Sequence, residues 1–145
     1  MDILIAKEEL RSYKEMRMEL DRYMERIQQY EHMIQSPNSI IFGDIVPGGA
    51  KKTLDKKINE LLDLKQEYEK LWAFTKARLL HLEYKLNQLA TENPLYANIL
   101  AYRYIDSMSF EQIAVKTNYS YDHVRKYLYY NAMAQYAKLP QNTLS

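Results

Sequence analysis

Only seven residues in this chain of 145 are habitual helix breakers, three glycines and four prolines, and they are bunched. Pro37, Gly43, Pro47, Gly48 and Gly49 fall in one short stretch, while Pro94 and Pro140 stand alone. Glycine favours turns because it lacks a Cβ, and proline removes a backbone donor, so long stretches without either are free to be helical. The spacing predicts an all-α fold: two long helices, a connecting loop over residues 36–50, and a separate C-terminal helical unit opened by Asn93-Pro94. The expected division is 1–92 for the long helices with their loop and 93–145 for the C-terminal domain. So few breakers disfavour β architectures, which need many tight turns.

Hydrophobic periodicity supports both long helices. In the first, Leu10, Tyr13, Met16, Leu20, Met24, Ile27, Tyr30 and Ile34 recur every three or four residues among Lys, Arg and Glu. In the second, Leu54, Ile58, Leu61, Lys65, Tyr68, Trp72, Thr75, Leu79, Leu82, Leu86 and Leu89 alternate steps of four and three, a coiled-coil seam. Leu62, Leu64, Leu71, Phe74 and Leu80 widen the apolar face. Helices of roughly 50–60 Å cannot bury themselves alone. They fold back as an antiparallel hairpin or dimerise in parallel, and a loop of this length favours the hairpin. The loop carries Ile40, Ile41, Phe42, Ile45 and Val46, apolar enough to pack on the helices or to dock a partner.

Composition removes several function classes. Cysteine is absent, which excludes disulfides, thiolate zinc sites and cysteine nucleophiles. Formal charge is +1, so no global field attracts a polyanion. No apolar run reaches the ~20 residues of a membrane span, and no secretory signal opens the chain. His32, His81 and His123 are isolated, and three glycines cannot make a phosphate-binding loop. The carboxylates of the long helices alternate with Lys and Arg as a solvated face does. No enzyme, cofactor or metal is expected, and a cytoplasmic protein is.

The C-terminal part differs in kind. It holds nine of the fourteen tyrosines and five basic residues (Arg103, Lys116, Arg125, Lys126, Lys138) against three acidic ones (Asp106, Glu111, Asp122). Ser109 with Gln112 makes a capping box ahead of Ile113, and Ala114 is small where a crossing helix packs. Asn118 suits the left-handed residue that ends a helix. Ser120 caps the next helix, with Asp122 in its first turn. These offsets make a helix-turn-helix, with a third helix from Pro94 through Leu95, Ile99, Leu100 and Ile105. With Val124, Tyr127 and Leu128 inward, helical geometry turns Tyr121, Asp122, His123, Arg125, Lys126 and Tyr129 outward. Together with Ser120 and Lys116 these are the candidate DNA-binding residues, Arg125 for guanine and Lys126 for phosphate.

The stretch Arg103-Tyr104-Ile105-Asp106, Ser109-Phe110-Glu111-Gln112-Ile113-Ala114, Asn118-Tyr119-Ser120, Val124-Arg125 resembles the helix-turn-helix of sigma-factor region 4. It is most similar to the version in RinA/ArpU-type phage late-gene transcription regulators. Ser107 and Asn118 stand where those proteins usually carry glycine, and the second helix has fewer arginines. The resemblance covers about 40 residues and implies a phage or prophage protein that binds double-stranded promoter DNA and activates late genes, with host RNA polymerase as a partner, at the nucleoid. Three or four cations near DNA give weak binding per copy, since each neutralised phosphate adds only about 0.9 to the salt slope. A homo-oligomer or polymerase co-binding is therefore expected. The competing reading is an interaction factor, an adaptor or polymerase-directed regulator, that does not bind DNA by itself. A DNA-packaging component such as a small terminase subunit is a third, though there the DNA-binding unit commonly comes first.

Overall fold

The computed structural model describes residues 2–36 and 50–140, so the apolar stretch 40–46 lies outside the described residues. The chain is all-α. Helix α1 spans Ile3–Gln35 and α2 spans Ala50–Glu92. They are followed by α3 (Pro94–Tyr104), α4 (Phe110–Thr117) and α5 (residues 121–138). Within α5, one π-helical turn, Val124–Leu128, is set between the α-helical segments Tyr121–His123 and Tyr129–Lys138. The break between α2 and α3 is a single residue. Asn93 is extended, and its side chain accepts the Tyr96 N–H at 3.2 Å. Pro94 starts the new helix where its missing N–H costs nothing.

The chain divides into two compact units. One unit is Met18–Lys76. The other joins the residues up to Arg17 with those from Ala77 onward. Both long helices contribute to each.

In the first unit α1 and α2 run antiparallel. Glu31 pairs with Lys65 at 3.4 Å, and the Tyr68 ring lies 5.8 Å from that of Tyr30 and 6.0 Å from that of Tyr23. From Leu54 to Trp72 every expected seam position is at least partly buried, and Thr75 is buried. Lys65 occupies its seam position because Glu31 and Glu69 receive its ammonium, and the Glu31 bond raises its pKa above the ordinary value. A single facing helix covers only one seam. Leu62, Leu64, Leu71 and Phe74, which widen the apolar face, are accordingly exposed, as is Met24 on α1.

In the second unit the start of α1 and the end of α2 again pair antiparallel, through Glu9 and Lys85, and here the C-terminal helices share their core. Ala6, Leu10 and Met16 are buried with Leu79, Leu82, Leu86 and Leu89, alongside Ile99, Leu100, Met133 and Tyr136. Burying each Leu or Ile contributes about 1.5–3 kcal/mol. The helix-turn-helix thus rests on a floor of long-helix leucines rather than standing as a free domain. Its own small core is Ile99, Ile113, Ala114, Val124 and Leu128, with Tyr102, Met108 and Phe110 packed against it.

Candidate nucleic-acid interface

The α3–α4 turn is built from the motif residues themselves. Arg103 donates to the Met108 carbonyl at 3.1 Å and its guanidinium lies 4.2 Å from the Phe110 ring centroid, so it clamps the turn. Ser107 has φ 57°, a left-handed conformation that a Cβ disfavours. Ser109 then completes the capping box: its hydroxyl accepts the Gln112 N–H at 3.2 Å, and Gln112 Oε1 accepts the Ser109 N–H at 2.9 Å.

The α4–α5 turn is made the same way. Asn118 has φ 62° and ψ 27°, and the Tyr119 N–H returns to the Ala114 carbonyl at 3.2 Å, closing α4. Ser120 caps α5 by accepting the His123 N–H at 3.2 Å. Ser107 and Asn118 are the two non-glycine residues with positive φ among those described. Left-handed backbone favours glycine at each; Asn118 is a type that tolerates it, whereas Ser107 bears the cost of its Cβ.

The π turn changes which residues of α5 face inward. The Tyr129 N–H bonds the Val124 carbonyl, five residues back, so Tyr129 rather than Tyr127 falls beneath Val124. A uniform 3.6-residue repeat places Tyr127 inside and Tyr129 outside; the extra residue in the turn reverses both. Tyr127 is 61% exposed and Tyr129 only 8%. Tyr129 is therefore removed from the candidate DNA-binding set. Its hydroxyl is hydrogen-bonded to that of Tyr104, and its ring meets Phe110 edge-on at 5.0 Å. Burial, and then the bond to Tyr129, pushes the Tyr104 hydroxyl far above its ordinary pKa.

Tyr121, Asp122, His123, Arg125 and Lys126 all lie exposed on the first half of α5, and Lys116 is exposed on α4. Ser120 is exposed too, with its hydroxyl engaged as the cap. The exposed residues sort into two flanks. On one, Arg125 lies 5.4 Å from the Tyr121 ring centroid and 4.0 Å from the Asp122 carboxylate and stays exposed. On the other, the His123 ring stands between those of Tyr119, at 5.4 Å, and Tyr127, at 5.6 Å. Lys116 sits over the Tyr102 ring at 5.9 Å. The arrangement offers a planar cation fork on one flank of α5, a row of rings on the other, and two further exposed lysines, Lys126 on α5 and Lys116 on α4.

Sequence reasoning missed a buried polar cluster that secures α5 from below. Lys85 on α2 is fully buried, with Nζ 3.5 Å from Glu9 Oε1 on α1 and 4.1 Å from the Tyr136 ring centroid. The Tyr136 hydroxyl donates to the same Glu9 oxygen at 2.7 Å. Burial lowers the Lys85 pKa, and the Glu9 charge partly offsets this. Burial, reinforced by Glu9, pushes the Tyr136 hydroxyl far above its ordinary range. Lys85 lies one residue before a seam leucine. Its burial depends on α5 covering that side of α2, which no local pattern records.

Helices α3–α5 thus form a helix-turn-helix arrangement within the unit that also holds the start of α1 and the end of α2. The chain belongs to the family described as "Protein of unknown function (DUF1492)", whose profile matches residues 33–138. No curated protein and no solved structure matches the chain. Among the described residues, no helix is long and apolar enough to cross a membrane.

Proposed function

We propose that this protein is a sequence-specific, DNA-binding transcription regulator that lays the first half of α5 in the major groove of duplex DNA. The observation that carries the reading is the tight turn from the left-handed Asn118 to the Ser120 cap, which joins α4 to a helix whose exposed face bears Arg125 and Lys126. A short turn of this kind joins the two helices of a helix-turn-helix, whose second helix enters the major groove. The exposed Arg125 suits a bidentate contact to guanine, and Lys116 and Lys126 suit phosphates. The resemblance to RinA/ArpU-type regulators extends the proposal to a phage or prophage activator of late genes, working in the bacterial cytoplasm at the nucleoid with host RNA polymerase.

Three cations make a shallow salt slope, so one copy binds weakly. The exposed Leu62, Leu64, Leu71 and Phe74 of the Met18–Lys76 unit support self-association, which supplies the missing affinity by avidity. Sedimentation at micromolar concentration then gives a dimer or larger species. A monomer that binds one duplex site at nanomolar strength contradicts this part.

The exposed rings Tyr119, Tyr121, Tyr127 and Tyr130 favour one competitor, a protein-docking factor, because tyrosine is enriched at protein interfaces. Selection from a random duplex library separates the two. Enrichment of one sequence supports the regulator. Absence of enrichment, with specific capture of RNA polymerase instead, supports the docking factor.

A further inference from the structure

The rings of the row Tyr119–His123–Tyr127 are open to solvent: Tyr119 is 43% and Tyr127 61% exposed, and His123 is exposed between them. Resting on the DNA-binding reading above, we infer that this row reads thymine methyl groups along one strand of the major groove, beside the position Arg125 reads. The two ring-to-ring steps are 5.4 and 5.6 Å with interplanar angles of 31° and 35°, so the rings form one continuous strip. Its length of about 11 Å matches roughly three base steps at 3.4 Å per step.

Charge decides what the strip touches. It contains no lysine, arginine or carboxylate. Arg125 leans toward Tyr121 and Asp122 on the opposite flank, and Lys116 lies over Tyr102 on α4. The phosphates are therefore served by the cations, while the strip meets base edges. The apolar group that the major groove presents there is the C5-methyl of thymine. Tilted, partly exposed rings gain by covering methyl groups and gain nothing comparable from the bare edges of cytosine or guanine.

The test uses the full chain and the duplex enriched by library selection, with each thymine of the selected site replaced in turn by uracil, which lacks only the methyl group. Fluorescence anisotropy at fixed salt is expected to show about fourfold weaker binding per contacted methyl, the factor that one buried carbon group carries. Tyr127→Ser, and Tyr119→Ser with Tyr127→Ser, are expected to bind thymine and uracil duplexes alike while retaining their preference at the guanine position. Both positions are exposed, and circular dichroism confirms folding. Equal affinity of the wild-type chain for thymine and uracil duplexes overturns the inference and leaves DNA binding intact. Discrimination that survives in the double variant overturns it too. A library that enriches no duplex overturns the DNA-binding reading on which the inference rests.

Discussion

Replacing Glu9 by alanine removes the carboxylate that faces a buried ammonium, and the cost follows from the geometry. Lys85 Nζ lies 3.5 Å from Glu9 Oε1, and the lysine side chain is only 1% exposed. At an effective dielectric of about 20, that separation corresponds to about 5 kcal/mol of attraction, offset in the native protein by desolvation of both ions. The desolvation of Lys85 remains when Glu9 is gone, and Tyr136 loses the acceptor of its hydroxyl. Glu9→Ala is therefore expected to destabilise the fold by about 3 kcal/mol at pH 7, near the lower end for breaking a buried pair. Glu9→Gln combined with Lys85→Met removes both charges and should cost less than about 1 kcal/mol. Burial lowers the Lys85 pKa, so alkali lets the lysine shed its proton more readily in the folded variant than in the unfolded chain. The penalty of Glu9→Ala should shrink between pH 7 and 9.5. Urea unfolding followed by circular dichroism at both pH values measures each quantity. A loss under about 1 kcal/mol at pH 7, or a penalty that does not change with pH, refutes the reasoning.

Other expectations follow from the turns and the tyrosines. Ser107→Gly should stabilise the fold by about 1 kcal/mol and Asn118→Gly by somewhat less, whereas Asn118→Val should destabilise it, all read from thermal unfolding. Ser109→Ala removes the capping box at the start of α4 and should cost about 1 kcal/mol by the same measurement. Tyr104 and Tyr136 have raised pKa values in the folded chain against 10.0 as the ordinary value. Their contribution is fully present below pH 10 and is lost above it, by up to about 1.4 kcal/mol per pH unit for each hydroxyl. Phenylalanine at both positions should flatten that alkaline loss in urea titrations at pH 9, 10 and 11.

Much of this architecture was legible because it rests on local rules. The bunched breakers mark the helix ends, the four-three seam marks the buried stripe of α2, and Ser109, Asn118 and Ser120 mark the turn before any contact is known. Three features were not legible. The π turn inserts one residue into the repeat of α5, so Tyr127 and Tyr129 exchange roles, and nothing in Val124–Leu128 announces that insertion. Lys85 reads as a solvated charge until helices distant in sequence cover it. The shared core of early α1, late α2 and the C-terminal helices also arises from tertiary packing between segments far apart in sequence. The exposed face of α5 was legible for Tyr121, Asp122, His123, Arg125 and Lys126, whose positions precede or begin the π turn. It failed at Tyr129, which follows the turn.

The central claim is that the first half of α5 reads duplex DNA. The most direct measurement is binding of the selected duplex by wild type and by Arg125→Ala with Lys126→Ala, using fluorescence anisotropy at two salt concentrations. Both side chains are solvent-exposed, so the variant should unfold in urea as the wild type does. The variant is expected to lose sequence-specific binding and to show a salt slope lower by about 1 for each phosphate contact removed. Wild-type affinity, sequence preference and salt slope in the variant contradict the claim.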